Sequence, residues 1–304
     1  MSKQKPQYTP SSPLNPSVEE YRRYIESGKL YRVGVRKSPI VYLRQTWERR
    51  AYMWKDSRAK VRMQNRQHRL GSWWLVIKPV FDVIFFWVLF GLILNTSRGM
   101  HNYNAYIIIG VLMFQYFSRA LVTSSTVMSQ NRSMMRAFSF PRLTVPISLA
   151  LREALSSIPV IIVMIIGIVL IPPHVIPSWT WLLFIPAFLL NVLFNLGLGL
   201  IIARIAYVIP DISQVINVLT RFLLYGSAVI FPIERFIHHP VITHIIQSNP
   251  IYIFLDLYRH ILMDHSLGTL YHWGSLGAWS IGLLLIGFFT FWHAEEVYGR
   301  ELNN

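Results

Sequence analysis

The chain contains no cysteine, which excludes disulfide bonds and thiol chemistry from its fold and its activity. Three motifs of chemically active sites are missing as well: G-x-x-x-x-G-K-[ST], G-x-S-x-G and H-E-x-x-H. Without the first motif, the chain has no P-loop with which to hold the phosphates of ATP. Without the other two, it has neither the nucleophile turn of α/β-hydrolases nor the helical zinc site of metalloproteases.

Acidic residues are scarce, and the positive charge is unevenly placed. The chain carries 29 Lys and Arg against 14 Asp and Glu, and residues 1–72 hold 17 of the basic residues but only 5 of the acidic ones. The rest of the chain is therefore nearly neutral, which argues against a nucleic-acid partner. A basic collar beside an apolar segment instead fits anionic membrane lipids, at roughly 1 kcal/mol per basic residue near the surface.

Long apolar segments fill the remainder of the chain, which is 53% hydrophobic and 14% charged, with a mean hydropathy of +0.39. A helix that spans a bilayer needs about 20 apolar residues. The sequence thus predicts an all-α integral membrane protein with a transmembrane domain over residues 73–293. Its six predicted transmembrane helices are Trp73–Asn95, Tyr106–Met128, Ser148–Ile171, Trp179–Ala203, Ser213–Phe231 and Trp273–His293.

The distribution of arginine sets the predicted orientation. The loop 130–146 carries three arginines, whereas the loop 172–178 has no charged residue. Because cytoplasmic loops are enriched in Lys and Arg, both termini are predicted on the cytoplasmic side of a bacterial inner membrane. Residues 1–37 lack the apolar core of a signal peptide and are predicted to be a disordered basic tail, and residues 294–304 a cytoplasmic C-terminus.

Residues 38–66 are predicted to form an amphipathic helix on the inner membrane surface. At 100° per residue, one stripe of this helix is apolar and the opposite stripe is polar. Tryptophan within the apolar stripe is typical of helices that lie at the depth of the lipid head groups. A soluble helix that packs on a partner protein is the alternative, and the two interpretations are compatible. The apolar stripe comprises Ile40, Leu43, Trp47, Ala51, Trp54 and Val61.

The segment 232–272 has an irregular pattern. Its apolar stretches are too short to cross a membrane, and Pro232, Pro240 and Pro250 interrupt any continuous helix. Short pieces of this kind lie in the interface or dip in and return, so we predict re-entrant helices on the outer face before the last span. Six of the ten histidines fall here, but no acidic or cysteine partner stands at a familiar ligand spacing. The sequence therefore favours interfacial histidines and predicts no metal site.

Ionisable residues within the predicted spans are candidates for function, because a charge inside a membrane is costly. Lys78 and Asp82 are four residues apart, so they either neutralise each other on one helix face or serve the function directly. The predicted intramembrane polar residues are Asp82, Arg119, Glu153 and Arg221. Arg119 and Arg221 have no acidic neighbour in sequence and are expected to face a wet interior or a phosphate, and Glu153 is a candidate partner for either of them.

Aromatic residues crowd the first and the fifth predicted spans. Flat rings offer weakly specific surfaces along which the C–H faces of sugars slide, but aromatic rings are equally typical of ordinary lipid-facing bulk. Composition alone leaves both interpretations open. The candidate channel aromatics are Phe81, Phe85, Trp87, Phe222 and Tyr225.

Landmarks from residue 40 to the C-terminus occur in an order and spacing that is typical of a known family. They are Arg69-Leu70-Gly71 with Trp74 and Pro79, Asn131 through Phe140-Pro141, Pro210-Asp211, Phe231-Pro232, and Asn249-Pro250 with Arg259. The sequence resembles the permease subunits of ABC type-2 exporters of polysaccharides and polyol phosphates, which include exporters of O-antigen, teichoic acid and capsule. The long basic prefix with Trp47-Glu48-Arg49-Arg50 is most similar to actinobacterial members that export the lipid-linked galactan of the cell wall.

This resemblance implies a homodimer with two copies of a separate ABC ATPase. The ATPase would bind ATP and Mg²⁺, so the chain itself would need no cofactor and would not be an enzyme. The first and fifth spans would line the conduit at the dimer interface. A helix in the loop 130–146 would couple to the ATPase through Arg132, Ser133, Met134, Met135, Arg136, Phe138 and Phe140. Substrate entry, with a pyrophosphate held by arginine, would lie at Arg66, Arg69, Leu70, Gly71 and Lys78.

The function implied is ATP-driven export of a polyprenyl-pyrophosphate-linked cell-surface polysaccharide from the cytoplasm across the inner membrane. A permease of the same architecture for a drug or a small lipid is the alternative. A membrane glycosyl or phosphosugar transferase is disfavoured, because its Mg²⁺ would need clustered carboxylates. The predicted inner loops between spans offer only Asp211.

Overall fold

The computed structural model describes residues 19, 38–63, 71–93, 102–137, 141–233 and 240–295, and within these ranges every regular element is a helix. The predicted tail is thus outside the described residues except at residue 19, and so are residues 296–304. The helices are α1 (Pro39–Glu48), α2 (Arg50–Met63), α3 (Trp74–Phe86), α4 (Tyr103–Gln130), α5 (Arg132–Ala137), α6 (Thr144–Leu170), α7 (Phe184–Val208), α8 (Ile212–Gly226), α9 (Pro240–Ser248), α10 (Pro250–Leu262) and α11 (Leu270–His293).

Three short helical turns adjoin the longer helices. A 3₁₀ turn at Gly71–Trp73 leads into α3, and another at Trp179–Leu183 leads into α7. A π-helical stretch, Trp87–Ile93, continues α3. The π-helical stretch directly follows α3, and the second 3₁₀ turn directly precedes α7. The first and fourth membrane helices are therefore longer than their α-helical parts alone.

Five helical segments are long and apolar enough to cross a membrane, and they correspond to five of the six predicted spans. They are Trp74–Gly91, Tyr103–Gln130, Thr144–Leu170, Trp179–Val208 and Leu270–His293. The all-helical membrane fold is therefore confirmed.

The predicted span Ser213–Phe231 is shorter than expected, so the count of six is not confirmed. It folds as α8, which has 15 residues. At 1.5 Å per residue this helix is about 22 Å long, against a hydrocarbon core of about 30 Å. The chain leaves the helix after Gly226, and residues 227–230 are buried as irregular backbone.

Side chains from two other helices hold that irregular backbone. Tyr106 of α4 donates its hydroxyl hydrogen to the carbonyl of Ala228 at 2.7 Å. Arg259 of α10 donates from Nη2 to the carbonyls of Ala228 and Val229, each at 3.1 Å. These bonds satisfy carbonyl groups that would otherwise be buried without a partner. They explain why the chain stops being helical here rather than at Phe231.

Helix α4 is the centre of the bundle. Its buried face packs against α6 and α7, and α10 covers its beginning. Helices α7 and α11 approach each other most closely at Gly197 and Gly287, where a Cβ on Gly287 would lie 2.5 Å from the carbonyl oxygen of Gly197. Small residues allow this close backbone contact, which is how helices commonly associate inside membranes.

At the end of the bundle that the charge pattern predicts to be cytoplasmic, helix α1 lies next to the last described residues of the chain. The Tyr42 hydroxyl donates to Glu295 at 2.7 Å and accepts from the backbone N–H of Leu143 at 3.1 Å. Burial, together with the neighbouring Glu295 carboxylate, raises the pKa of Tyr42 well above its usual value, so the phenol stays neutral. Helix α1, the loop before α6 and the end of α11 therefore lie together.

The predicted helix 38–66 is helical over its described part but is divided at Arg49 into α1 and α2. Its face with Tyr42, Met53 and Ser57 is buried against the bundle, and the Ser57 hydroxyl donates to the Ser148 carbonyl at 2.8 Å. The large residues of the predicted apolar stripe remain exposed. A side of the helix pair is thus available to lipid, and its place at the membrane surface stays a prediction.

The segment 232–272 contains the two short helices α9 and α10, which begin at Pro240 and Pro250, where a proline is tolerated in the first helical turn. Residues 234–239 are outside the described residues. Helix α10 is largely buried, and the 3₁₀ turn before α7 binds its end: Thr180 and Trp181 donate to the carbonyls of Ile261 and Leu262. A re-entrant path through the membrane stays a prediction.

Candidate functional site

One face of the central helix α4 is polar and half-exposed, although the rest of the helix is buried. Between residues 115 and 126, every residue of α4 that is not buried falls on this face at 100° per residue. Five of these six residues are polar. We call this face the polar stripe; it comprises Gln115, Ser118, Arg119, Val122, Thr123 and Thr126.

Arg119 is the charged member of the polar stripe. Its Nε and Nη2 atoms are buried, and neither has a hydrogen-bond partner among the described residues. Burying such nitrogens without a partner costs several kcal/mol, and a charge that faces lipid at this depth costs more. The arrangement therefore requires water, a second chain or an anionic ligand next to Arg119.

Asp82 of α3 joins the polar stripe, and here the pairing of Lys78 with Asp82 weighed from the sequence is wrong. The Gln115 side chain donates to Asp82 Oδ2 at 3.0 Å. Within the described residues no ion pair links Lys78 to Asp82, and Lys78 is exposed. Gln115 binds Asp82 because both side chains lie at the contact between α3 and α4. The Lys78 side chain instead projects outward.

Exposed aromatic side chains stand on the two helices that flank α4. On α3, Phe81 is 63% exposed and Phe85 61%; on α8, Phe222 is 70% exposed and Tyr225 51%. Trp87 is also exposed and donates to Asn104 at 2.7 Å. Helices α3 and α8 each contact α4. The predicted channel aromatics thus lie exposed on two helices that contact α4, and α3 reaches the polar stripe through Asp82.

Glu153 and Arg221 have different surroundings. Glu153 on α6 is buried and accepts from Arg152 Nη2 at 3.0 Å, so its observed partner is the preceding arginine and not Arg119 or Arg221. Arg221 lies on the exposed side of α8, next to Phe222. Glu153 therefore has a structural partner, whereas Arg221 is available on the surface that flanks the polar stripe.

The predicted coupling helix forms as α5 at the end of α4, one turn long. Arg132 and Ser133 are exposed, and Met134 accepts a hydrogen bond from the Tyr52 hydroxyl at 3.2 Å. Met135 is buried in the cluster that also contains Tyr42 and Leu143. In this structure Met135 anchors α5 to the bundle, and the residues that face outward are Arg132 and Ser133.

Several predicted site residues cannot be placed, because Arg66, Arg69, Leu70, Phe138 and Phe140 and the side chain of Arg136 lie outside the described residues. Gly71 has a φ of +47°, a conformation that favours glycine, and forms the turn into α3. Lys78 lies two turns further along α3. The described part of the predicted entry is therefore the start of α3.

Sequence reasoning missed most of the polar stripe. It identified Arg119 by its charge, but the uncharged residues Gln115, Ser118 and Thr123 were not considered. The available signal was their spacing of three and four residues along an otherwise apolar helix. A polar face along residues 115–126 of a membrane helix is the arrangement expected of a helix that lines water there.

Several known proteins are similar to this chain over most of its length. The chain is 20% identical over 262 residues to the O-antigen export system permease protein RfbA of Myxococcus xanthus, covering 85% of this chain and 95% of that protein. It is 22% identical over 215 residues to the RfbA protein of Klebsiella pneumoniae, covering 69% and 80%. It is 21% identical over 237 residues to the polysialic acid transport protein KpsM of Escherichia coli, covering 78% and 91%.

The family model of the ABC-2 type transporter matches residues 57–263, a range that includes the polar stripe, α5 and most of the described helices. By this match and its several apolar helices, the chain is a multi-pass membrane protein that belongs to the ABC-2 type transporter family.

Proposed function

We propose that this chain is the membrane subunit of an ATP-driven exporter that carries a polyprenyl-pyrophosphate-linked cell-surface polysaccharide from the cytoplasm across the inner membrane. The observation that carries the proposal is the polar stripe of α4, together with the exposed aromatic residues of α3 and α8, two helices that contact α4. Hydroxyl, amide and guanidinium groups suit the polar edges of sugars, and aromatic rings suit their C–H faces. The names of the relatives, O-antigen export permease and polysialic acid transport protein, point to the same substrate class.

A second copy of the chain would complete the conduit. In a single copy the polar stripe and Arg119 would face lipid, which is unfavourable. Two copies that meet along α3 and α8 would cover the exposed aromatic faces and enclose the two polar stripes in one water-filled passage. In that assembly α8, although short, counts as the sixth membrane helix, with both termini in the cytoplasm.

Energy would come from a separate ABC ATPase, present in two copies, that binds ATP and Mg²⁺. The chain has no P-loop of its own, and the exposed Arg132 and Ser133 of α5 offer a docking surface at the end of the helix that carries the polar stripe. Movement of α5 would be passed directly to the conduit wall, because only Asn131 separates α5 from α4.

The cytoplasmic entrance would lie before and at the start of α3. Arg66 and Arg69 would hold the pyrophosphate, with Leu70 and Gly71 forming the turn and Lys78 adding charge further in. The basic segment 1–72 and the exposed apolar stripe of α1 and α2 would keep this region at the surface of anionic lipids. The resemblance of the basic prefix to that of actinobacterial galactan exporters is the reason for proposing a galactan as the carried glycan.

Depletion of the protein in its native host tests the proposal. Lipid-linked polysaccharide should then accumulate on the cytoplasmic side, as judged by glycan labelling in intact cells and in inverted membrane vesicles. An unchanged distribution across the membrane would contradict export of polysaccharide. Redistribution of a drug or a small lipid alone would favour the alternative cargo.

Charge reversal at Arg132 and Arg136 together should separate ATP hydrolysis from transport while leaving membrane insertion intact. The measurement is glycan exported per ATP hydrolysed by the reconstituted complex. If the double variant exports as much glycan per ATP as the unmodified complex, the proposal that α5 docks on the ATPase is wrong.

A further inference from the structure

Three side chains that can bind a metal converge where α10 meets the start of α11. Asp256 and His260 are four residues apart on α10, and His272 lies in the first turn of α11. One ligand atom from each of the three lies within 4.8 Å of the other two. The sequence favoured histidines without a metal because no acidic partner stood at a familiar spacing, but the fold supplies that partner from two helices.

The ring nitrogens of both histidines are oriented for ligation. His272 Nε2 lies 3.0 Å from Asp256 Oδ2, and His260 Nε2 lies 3.7 Å from the same oxygen. Tetrahedral ligands at zinc bond lengths of about 2.0–2.1 Å are roughly 3.3 Å apart. The two separations bracket this value, so small rotations of the rings would complete three corners of a tetrahedron.

The second nitrogen of His260 has a partner of the kind that supports metal-bound histidine, whereas Nδ1 of His272 accepts from the Thr269 backbone N–H and has a hydroxyl oxygen close by. His260 Nδ1 lies 3.1 Å from Asp264 Oδ2, and His272 Nδ1 lies 2.9 Å from Thr269 Oγ1. A carboxylate or hydroxyl on Nδ1 fixes the ring and leaves Nε2 to bind the metal. For His272, ligation exchanges the bond now accepted from the Thr269 N–H at 3.0 Å for one donated to Thr269 Oγ1.

Charge and exposure also suit a cation. Asp256 places a carboxylate beside the two imidazoles, which gives the cluster an anionic ligand. His272 is buried, whereas Asp256 and His260 are partly exposed. A fourth corner therefore remains open to water.

We propose that Asp256, His260 and His272 bind one divalent transition-metal ion, with Zn²⁺ as the preferred ion and water as the fourth ligand. Two imidazoles and one carboxylate are typical zinc ligands, whereas Mg²⁺ and Ca²⁺ require a set made of oxygens.

A metal at this position would fasten α10 to α11. Arg259 lies three residues after Asp256 on α10. It donates hydrogen bonds to the backbone carbonyls of Ala228 and Val229, just beyond the end of α8. Fastening α10 would therefore stiffen the end of a helix that flanks the polar stripe. The metal would act on the position of this helix and not on the cargo.

Cobalt binding to the full-length protein tests the site. The protein is purified in detergent on a tag without histidine, stripped with chelator and titrated with Co²⁺, whose visible absorption reports the coordination of the ion. We expect one Co²⁺ per chain with the intense bands of a four-coordinate site, and displacement of these bands by Zn²⁺. His260→Gln and Asp256→Asn should each weaken binding at least tenfold.

His244→Gln is the matched control, since His244 is an exposed histidine of α9 outside the cluster, and it should bind Co²⁺ like the unmodified protein. The metal-free thermal unfolding midpoint of each variant verifies that it is folded. Failure of the unmodified protein to bind Co²⁺ or Zn²⁺ beyond the level of the chelator-treated blank would overturn the proposal. Equal binding by the His260→Gln, Asp256→Asn and control variants would overturn it as well.

Discussion

Arg259 shows how a single buried residue determines the path of the chain. Its side chain is almost fully buried, its guanidinium lies 3.5 Å from the centre of the Tyr106 ring, and it binds two backbone carbonyls. A planar guanidinium can stack on the ring and donate two hydrogen bonds at once, which a lysine ammonium cannot. Arg259 therefore joins α4, α10 and the end of α8.

Arg259→Lys should destabilise the protein by about 1–3 kcal/mol, because it loses the stacking contact and at least one charge-assisted hydrogen bond. Thermal unfolding in detergent, followed by tryptophan fluorescence, measures the effect. Arg221→Lys, on the exposed side of α8, should leave the unfolding midpoint unchanged. Equal midpoints for the two variants would show that the buried contacts of Arg259 are not needed.

Individual charged residues were predictable from the sequence, but their partners were not. Asp82 and Arg119 were identified because charge is rare in apolar segments. The partner of Asp82, however, is Gln115, 33 positions away on another helix. The same holds for His272, which is 16 positions from Asp256. Pairing across helices depends on packing, which spacing along one helix does not reveal.

At the scale of elements, long apolar helices were predicted well and short ones poorly. Five predicted spans exist as helices, because composition alone distinguishes some 20 apolar residues from a loop. The early end of α8 was not predictable, since bonds from Tyr106 and Arg259 to residues 228 and 229 decide it. The division of the N-terminal helix at Arg49 likewise has no breaker residue in the sequence.

The crossing of α7 and α11 depends on glycine. An added methyl group at Gly197 would lie 2.5 Å from the carbonyl carbon of Leu283, so Gly197→Ala forces the two helices apart. We expect a loss of about 1–3 kcal/mol of stability. Gly282→Ala on α11, where a Cβ meets nothing within 4 Å, should be neutral or slightly stabilising. The thermal unfolding midpoints of the two variants measure this difference. A Gly197→Ala variant as stable as the unmodified protein would contradict the close crossing of α7 and α11.

The aromatic face of α3 gives a prediction about transport. If Phe81 and Phe85 contact the moving glycan, replacing both with Ala should slow the export of long chains more than that of short ones, because long chains make more of these contacts. The length distribution of exported glycan measures the effect. Phe289→Ala, a similarly exposed ring on α11, is the control. If export slows equally for glycans of all lengths, or if Phe289→Ala has the same effect, then Phe81 and Phe85 face lipid and do not contact the glycan.

For the whole molecule, the charge pattern and the chain termini agree. The loop before α6, which is rich in arginine, the helices α1 and α2, and the end of α11 meet in one cluster around Tyr42. Packing places these segments at one end of the bundle, and the prediction that this end is cytoplasmic rests on the positive charge. The spacing of the polar stripe was present in the sequence, but its half-exposed position became visible only when the buried faces of α4 were known.

The account depends most on the claim that the polar stripe faces water. Because the chain has no cysteine, single cysteines report this directly. Ser118→Cys and Thr123→Cys on the stripe are compared with Ile162→Cys on an exposed apolar face of α6, and native membranes are treated with a water-soluble maleimide. Thiols react as thiolates, which form only where water reaches them.

Labelling after denaturation in detergent gives the maximum for each variant. The account predicts strong labelling of the Ser118→Cys and Thr123→Cys variants in intact membranes and almost none of the Ile162→Cys variant. Stripe cysteines as unreactive as the one at position 162 would mean that the stripe is dry, and the proposed conduit would be wrong.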